Sequence, residues 1–271
     1  MMRALLSPVW QDGQVPVDQQ SAPRGRRARA RAEMTRRIVD TAREHLATDG
    51  AAGLSLRAVA REVGLVSSAV YRYVPSRDDL LTLLIIEAYD ALGDAAERQE
   101  AAVSRDDLTG RFRAIARAVR RWAFEHEHEY ALIFGSPVPG YRAPQATIPP
   151  ATRVPGLLIG VIRDAVATGR VPAALPSPAP AVLTEVAPLR AAFDADATPV
   201  PPELVVRGLV AWTYLFGAVS FDLFGHRHNV LAHERAIDGP FFEHEIDRML
   251  DWVGLAEAAP SPVTVVEGRA W

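Results

Sequence analysis

Apolar residues recur every three or four positions over most of the chain, which is the spacing that places side chains on one face of an α-helix. The first such stripe lies in a basic segment ending at TDGAAG and consists of Met34, Ile38, Ala42 and Leu46. A longer stripe consists of Leu108, Phe112, Ile115, Val119, Trp122 and His126. No run alternates apolar and polar residues between turn signals, so the sequence predicts an all-α protein without strands.

Three further helices are predicted in quick succession after the first. Ser55 is placed to cap the helix LRAVAREVG, and Gly64 follows where a tight turn requires a residue that tolerates positive φ. SSAVYRY then predicts a short helix that Pro75 ends, and Ser76 with Asp79 predicts a capping box for the helix DDLLTLLIIEAYDAL. Two short helices joined at a glycine are typical of a helix-turn-helix, whose second helix enters the major groove of DNA.

Proline divides the rest of the chain. Residues 1–23 carry three prolines and no helical period, so we expect them to be disordered or to precede the translated start. Residues 136–155 and 172–202 carry six and eight prolines and are expected to be loops. The sequence thus predicts a disordered Arg-rich arm at 1–31, a helix-turn-helix domain at 32–80, a helical ligand-binding and dimerisation domain at 81–258, and a tail at 259–271.

The basic residues are concentrated near the N-terminus. Residues 1–80 hold 13 Arg against 9 acidic residues, whereas the remainder holds 17 Arg against 24, although the whole chain has a net charge of only −3. A small basic region on an acidic body suggests that a polyanion binds that region alone. Within it, the small residues Ser67, Ser68 and Ala69 allow the short third helix to approach base edges, and Tyr71, Arg72 and Tyr73 lie within reach of phosphates.

The composition excludes several classes of enzyme. The chain has no cysteine, which rules out a thiol nucleophile, a cysteine-ligated metal site and disulfides. All 30 basic residues are arginine, which rules out a Schiff-base lysine and a P-loop lysine. The longest uncharged apolar stretch, at 208–221, has 14 residues. A membrane span needs roughly 20, and the N-terminus does not read as a secretory signal, so we expect a cytoplasmic protein without a membrane partner.

The segment LSLRAVAREVGLVSSAVYRYVPSRDDLL, residues 54–81, resembles the DNA-binding head of the tetracycline-repressor (TetR) family of bacterial transcription regulators. The resemblance implies a regulator rather than an enzyme, with a three-helix head followed by a helical effector-binding and dimerisation domain. It implies phosphate contacts for Ser55 and Arg57, base-edge positions for Ser67, Ser68 and Ala69, and backbone contacts for Tyr71, Tyr73 and Arg77. The arm before the head, with Arg29 and Arg31, is expected to enter the minor groove or neutralise phosphates.

Two positions depart from the family pattern. Val66 stands where the family usually caps the recognition helix with Ser or Thr, so that helix is expected to begin at Ser67. Val74 replaces the usual Phe, which is expected to thin the packing of the head against the fourth helix.

The acidic body is expected to hold a ligand and a dimer interface. Large aromatic side chains with a few polar tips are typical of small-molecule pockets, and the candidates are Trp122, His126, Tyr130, Phe134, Tyr141, Trp212 and Phe216. The arginines Arg111, Arg113, Arg117, Arg120 and Arg121 are expected to cover the outer side of the long stripe.

The segment at 203–226 is apolar nearly all round, which requires burial on every side and therefore a partner subunit. Its small residues, Gly208, Ala211, Gly217, Ala218 and Ser220, would allow a second helix to approach. The family resemblance implies a homodimer through the last two long helices.

These observations favour a dimeric repressor that a small apolar or amphipathic effector releases from a palindromic, double-stranded DNA operator. A second hypothesis keeps the DNA-binding head but makes the effector a metal ion, bound by His126, His128, His226 and His228. A third is an all-helical metalloenzyme, but only one Glu-x-x-His step is present, at Glu125 and His128. The first hypothesis requires no cofactor.

Overall fold

The computed structural model describes residues 21–171, 176–193, 199–231 and 239–255, and every regular element in these ranges is helical. In chain order the helices are α1 (Ser21–Gly53), α2 (Leu56–Glu62), α3 (Ser67–Val70), α4 (Arg77–Ala101), α5 (Leu108–Glu125), α6 (Glu127–Phe134), a 3₁₀ turn (Gln145–Thr147), α7 (Ile148–Ala151), α8 (Arg153–Ala167), α9 (Pro180–Glu185), α10 (Ala187–Phe193), α11 (Pro202–Leu223) and α12 (Pro240–Val253). The all-α prediction is confirmed for this part of the chain.

Local hydrogen bonds start the helices of the N-terminal region where the sequence predicts them. The Ser55 hydroxyl accepts the Ala58 N–H at 3.4 Å. Ser76 accepts the Asp79 N–H at 3.0 Å and donates to the Asp79 carboxylate at 2.7 Å. The contacts to the Ala58 and Asp79 N–H groups each satisfy a backbone donor that has no partner inside its own helix.

The N-terminal arm differs from the expectation. Residues 21–31, expected to be disordered, form the first turns of α1, whose N-terminal half projects Arg29 and Arg31 into solvent. Alanine and arginine are both strong helix formers, and Pro23 lies in the first turn, where its missing N–H breaks no helical hydrogen bond. Residues 1–20 and 256–271, which include the predicted tail, lie outside the described residues.

The proline-rich segments also contain more helix than expected. Prolines stand at the first or second position of α7, α9, α11 and α12, where a helix tolerates them. Helix α7 and the start of α8 lie inside the predicted 136–155 loop, and α9 and α10 lie inside the predicted 172–202 loop. In these two segments the frequent prolines mark the first turns of helices as well as loops.

Two hydrophobic cores are joined by α4. Its first turns contribute Leu80, Leu81 and Leu84 to the core of the head, which α1, α2 and α3 complete. Further along the same helix, Ala88 and Leu92 belong to the core of the body, built mainly with α5, α8, α11 and α12. The predicted boundary at residue 80 therefore falls inside a continuous helix.

Two of the arginines expected on the outer side of α5 are buried instead. Arg111 and Arg120 are each 2% exposed. Arg111 donates to Glu100 and to Asp164, each at 2.6 Å, and Arg120 pairs with Asp222 of α11. Arginine is buried where carboxylates from neighbouring helices neutralise it, which the sequence of α5 alone does not reveal.

Candidate DNA-binding surface and ligand cavity

The turn between α2 and α3 has the geometry of a helix-turn-helix. Gly64 takes φ +78°, a conformation that side chains rarely adopt. Val66 is extended at the N-cap of α3 and makes no side-chain cap, so the helix begins at Ser67 as expected. The buried Val74 closes the head core after the turn.

Six of the side chains predicted to face DNA are exposed, and we call them together the recognition surface: Ser55, Arg57, Ser67, Ser68, Tyr71 and Arg72. Ala69 does not belong to it, because only 8% of its surface is exposed. With four residues, α3 makes one turn, in which Ala69 and Val70 are buried while Ser67 and Ser68 are exposed. Tyr73 is half-buried against that core, with the Arg31 guanidinium 6.0 Å from its ring centre.

Arg77, predicted to contact the DNA backbone, makes hydrogen bonds within the protein instead. Its guanidinium donates to the carbonyl oxygens of Leu54 at 3.0 Å, Ala51 at 2.8 Å and Ala52 at 3.1 Å. These carbonyls lie at the end of α1, where a helix leaves its last oxygens without partners. Arg77 therefore ties α4 to the α1–α2 connection.

A cavity of about 330 Å³ lies inside the body among α4, α6, α8, α10 and α11. It is lined by Tyr89, Phe134, Ala151, Thr152, Pro155, Ile159, Leu189, Val205, Gly208, Leu209 and Trp212. None of these side chains carries a charge. Burial raises the pKa of Tyr89, so this phenol stays protonated and presents a neutral hydroxyl.

Of the seven predicted ligand residues, two line this cavity and two more pack against those two. Phe134 and Trp212 line it. Phe216 packs behind them, with ring centres 4.3 Å from Phe134 and 5.8 Å from Trp212. Tyr130 is fully buried beside Phe134 and bonds to the Phe216 carbonyl at 3.1 Å and the Ser220 hydroxyl at 2.9 Å. Tyr130 thus anchors α6 to α11 and does not line the cavity.

The other three predicted ligand residues lie elsewhere. Tyr141 packs against the head core and bonds to the Thr82 hydroxyl at 3.0 Å. Trp122 and His126 stack on each other, with ring centres 4.9 Å apart, beside a separate groove between α4 and α5. No residue of α5 lines the cavity, and helical spacing along α5 does not reveal which helices enclose a cavity.

Sequence reasoning missed most of the cavity wall. Tyr89 lies in an apolar run of α4 that reads as ordinary core, and Thr152, Pro155 and Leu189 lie in segments expected to be loops. The only signal was the high apolar content of α8, which is shared by any buried helix.

The candidate metal ligands do not form a cluster. His128 and His226 line a cleft between head and body, whereas His126 stacks on Trp122 in the other groove. Within the described ranges, no group of three or more His, Cys, Asp or Glu residues could hold a metal ion. Nothing here favours the metal-responsive regulator or the metalloenzyme.

One face of α11 and α12 exposes large apolar side chains, and we call it the apolar face. It contains Val210, Tyr214 and Phe221 of α11 and Phe224 directly after that helix, which are between 41% and 53% exposed. On α12 it contains Phe241 and Trp252, each 45% exposed. The α11 residues recur at intervals of three or four when Gly217 is included, so they form one continuous stripe.

The small residues of α11 divide between two roles. A side chain at Gly217, within the stripe, would meet open space. A Cβ at Gly208 would come within 3.1 Å of Ile159 and Ile162, so this glycine lets α11 pack on α8. Ala211 and Ala218 are buried, and Ser220 bonds to Tyr130. Of the five small residues, Gly217 alone is placed to admit a second helix.

By length and composition α11 is apolar enough to cross a membrane, and 44% of its most apolar window is buried inside the protein. The buried side of α11 packs on α8 and α12. Core helices of soluble proteins pass the same test.

The chain matches two family models, one over the N-terminal head and one over the C-terminal body. Residues 38–84 match the model for bacterial regulatory proteins of the tetR family, and residues 112–249 match the tetracyclin repressor-like C-terminal domain. The HTH-type transcriptional regulators Rv1816 of Mycobacterium tuberculosis and Mb1846 of Mycobacterium bovis are each 41% identical to it over 208 residues, which are 74% of this chain and 85% of each relative.

Solved structures show the same architecture. The crystal structure of the regulatory protein SCO4313 is 32% identical, with a TM-score of 0.66, and the match covers 83% of this chain and 98% of that one. A protein of unknown function from Rhodococcus sp. RHA1, at 23% identity and a TM-score of 0.59 over 82% and 95% of the two chains, shares the fold. The family models, the relatives and the helix-turn-helix geometry agree: this chain belongs to the TetR family of DNA-binding transcriptional regulators.

Proposed function

We propose that this regulator is a dimeric repressor that a small apolar or amphipathic effector releases from a palindromic operator. The observation that carries the proposal is the position of α6. Leu132 of this eight-residue helix packs against the head core, whereas Phe134, two residues later, lines the cavity. A ligand that displaces Phe134 therefore acts on a helix in direct contact with the DNA-binding head.

Ionic contacts link the same elements. Arg43 of α1 pairs with Glu87 of α4 at 2.5 Å and lies 3.7 Å from Glu129 of α6. Burial raises the pKa of Glu87 and opposes its ionisation, while Arg43 favours the charged form. A shift of α6 changes this contact with α1, which begins the head. Release requires the ligand to bind the displaced arrangement more tightly than the DNA-bound one.

The cavity wall defines the chemistry of the effector. Its volume of about 330 Å³ is at the small end of ligand pockets, and the wall is aromatic and aliphatic with hydroxyls at Tyr89 and Thr152. Trp212 adds a buried Nε1–H that has no acceptor among the described residues. Such a donor costs about 1–3 kcal/mol when it is left unsatisfied. We therefore propose a neutral, ring-containing effector with at least one hydrogen-bond acceptor.

We assign the apolar face to the dimer interface. Exposed apolar patches of this kind mark interaction sites, and a two-fold pairing of α11 and α12 with their copies would bury the stripe on both subunits as a four-helix bundle. Two heads would then address half-sites roughly 34–36 Å apart or a multiple of that distance. Binding to a chromosomal operator places the protein in the cytoplasm.

The test combines binding and assembly. Fluorescence anisotropy with DNA flanking the protein's own gene should show specific binding by two protomers and a steep loss of affinity with salt. A neutral aromatic library should then contain compounds that release the DNA, and Trp212→Phe should weaken release by acceptor-bearing compounds. Compounds that release the wild type and the Phe134→Ala variant equally would contradict the role of α6.

Size-exclusion chromatography with light scattering tests the dimer. Phe221→Glu, on the apolar face, should yield monomers with weakened operator affinity. Ile148→Glu is the matched control, because Ile148 is a similarly exposed apolar residue on α7, away from the stripe. Dimers of unchanged stability in Phe221→Glu would show that another surface pairs the subunits.

A further inference from the structure

One hydrogen bond joins the wall of the ligand cavity to α6. The Tyr89 hydroxyl of α4 donates to the main-chain carbonyl of Ile133 at 3.4 Å, and the Tyr89 ring meets the Phe134 ring edge-on, with ring centres 5.8 Å apart. Ile133 lies between Leu132, which packs against the head core, and Phe134, which lines the cavity. The Tyr89 hydroxyl therefore holds α6 at the point where the chain passes from the head to the cavity.

The sequence explains why this carbonyl needs a donor from a side chain. Helix α6 ends at Phe134, and a helix leaves the carbonyl oxygens of its last turn without partners. In a longer helix the Ile133 carbonyl would accept the N–H of residue 137, but Pro137 has no N–H. Tyr89 supplies a donor from a neighbouring helix. The contact is longer than the distance of about 2.7–2.8 Å that is usual for O–H···O bonds, so a closer acceptor can replace the Ile133 carbonyl.

The other hydroxyl of the cavity wall is held in a different way. Thr152 donates to the Pro149 carbonyl at 2.9 Å, three residues earlier, where α7 leads into α8. A ligand that accepts from Thr152 disturbs this local bond and leaves the contacts of α6 unchanged. Of the two wall hydroxyls, that of Tyr89 joins α4 to α6, and burial keeps it protonated by raising its pKa.

We infer that the effector is a neutral aromatic carbonyl compound, whose carbonyl oxygen accepts the Tyr89 hydroxyl in place of Ile133. The inference rests on the proposed function, because it names the contact through which the effector of this cavity acts. A carbonyl oxygen accepts but does not donate, so the partly buried Ile133 carbonyl loses its donor, which raises the free energy of this arrangement of α6. A shift of α6 that brings the Ile133 carbonyl to water removes this cost. The ligand therefore favours the shifted arrangement.

The same geometry separates carbonyl compounds from alcohols and phenols. A hydroxyl group both accepts and donates, so an alcohol that accepts from Tyr89 can donate to the Ile133 carbonyl and bridge the two. The bridged carbonyl keeps a donor, and α6 keeps its position. Tyr89 is thus a positioning residue for α6 as well as a ligand contact. A ligand acts as an effector only if it leaves the Ile133 carbonyl without a donor.

Hydrogen–deuterium exchange of the protein without DNA tests the position of α6 separately from repression. The probes are acetophenone, 1-phenylethanol and α-methylstyrene, which share one skeleton and carry a carbonyl, a hydroxyl and an apolar methylene group. Titration calorimetry first gives the saturating concentration of each probe. Acetophenone should speed amide exchange about threefold at the end of α6, which is the effect of losing one weak hydrogen bond. This region includes the Gly135 N–H, which bonds to the Ala131 carbonyl. The other two probes should leave the exchange rate as it is in the ligand-free protein.

Two variants separate the contact with the ligand from the general stability of this region. Tyr89→Phe should show the faster exchange of α6 without any ligand, and acetophenone should change it no further. Tyr141→Phe is the matched control. Its hydroxyl also joins the segment after α6 to α4, through the Thr82 hydroxyl at 3.0 Å, but Tyr141 does not line the cavity. This variant should keep the threefold response to acetophenone.

Three results would each overturn the inference: no saturable binding of acetophenone, an equal rise in α6 exchange with 1-phenylethanol, or a full response to acetophenone in Tyr89→Phe. Anisotropy with operator DNA distinguishes these results from a failure of the proposed function. If acetophenone speeds α6 exchange only when Tyr89 is present but does not release the operator, the repressor proposal is wrong and the role of Tyr89 is supported. If all three probes release the operator equally, the effector cavity is supported and the role of Tyr89 is wrong.

Discussion

Replacement of Arg77 by alanine separates two roles for this residue. The family pattern implies a contact with the DNA backbone, whereas the structure shows three hydrogen bonds from the guanidinium to main-chain carbonyls at the end of α1. Hydrogen bonds from a charged donor contribute about 1.5–3 kcal/mol each when they are buried. The Arg77 side chain is 32% exposed, so water can replace part of them. We therefore expect Arg77→Ala to lower the free energy of unfolding by about 1–2 kcal/mol in total.

Urea denaturation followed by circular dichroism, at one protein concentration, measures this loss. Anisotropy across a salt series measures phosphate contacts, because each contact contributes about 0.9 to the slope of log affinity against log salt. Arg72→Ala is the matched control, since Arg72 is exposed and without a side-chain partner in the described part of the chain. It should reduce the slope by about one contact and leave stability within about 0.5 kcal/mol of wild type. If Arg77→Ala instead reduces the slope and leaves stability unchanged, the capping role is refuted.

Two further predictions concern the α6 anchor and the N-terminal turns of α1. Tyr130→Phe should cost about 1–2 kcal/mol in urea denaturation, because it removes the hydroxyl that joins α6 to the Phe216 carbonyl and Ser220. The exposed control Tyr71→Phe should change stability by less than about 0.5 kcal/mol, and equal effects of the two would argue against the anchor. Deletion of residues 1–31 should weaken binding to all DNA sequences alike relative to deletion of residues 1–20, as measured by anisotropy on operator and random DNA. A changed sequence preference at unchanged overall affinity would speak against a phosphate-binding role.

The head could be predicted from the sequence because its signals are local. Ser55 and Ser76 cap helices within three residues of themselves, and Gly64 satisfies the backbone of its own turn. The roles of individual side chains within the head were harder to predict from the sequence. Ala69 and Arg77 follow the family pattern in sequence, but the single turn of α3 buries Ala69, and the carbonyls at the end of α1 bind the partly exposed Arg77.

The wall of the ligand cavity, unlike the head, could not be predicted from local signals. Aromatic residues as a class were the right candidates, yet only Phe134 and Trp212 reach the cavity wall. Tyr141 has the same chemistry and packs on the head, because the chain after α6 turns back toward α4. Periodicity places a residue on a face of its own helix, and it does not specify which other helix covers that face.

The sequence by itself determined that the chain is helical, where its short helices begin, and that a basic helix-turn-helix precedes an acidic body. These properties depend on residues within about one or two helical turns of each other. Helix caps, helix-breaking residues and the spacing of apolar residues therefore reveal them in the sequence. Tertiary structure alone decided that Arg111 and Arg120 are buried, that α6 touches both head and cavity, and that Trp122 stacks on His126 outside the cavity. Each of these depends on contacts between distant segments, such as the bond from Tyr130 to the Phe216 carbonyl 86 positions away, which form only when the helices pack.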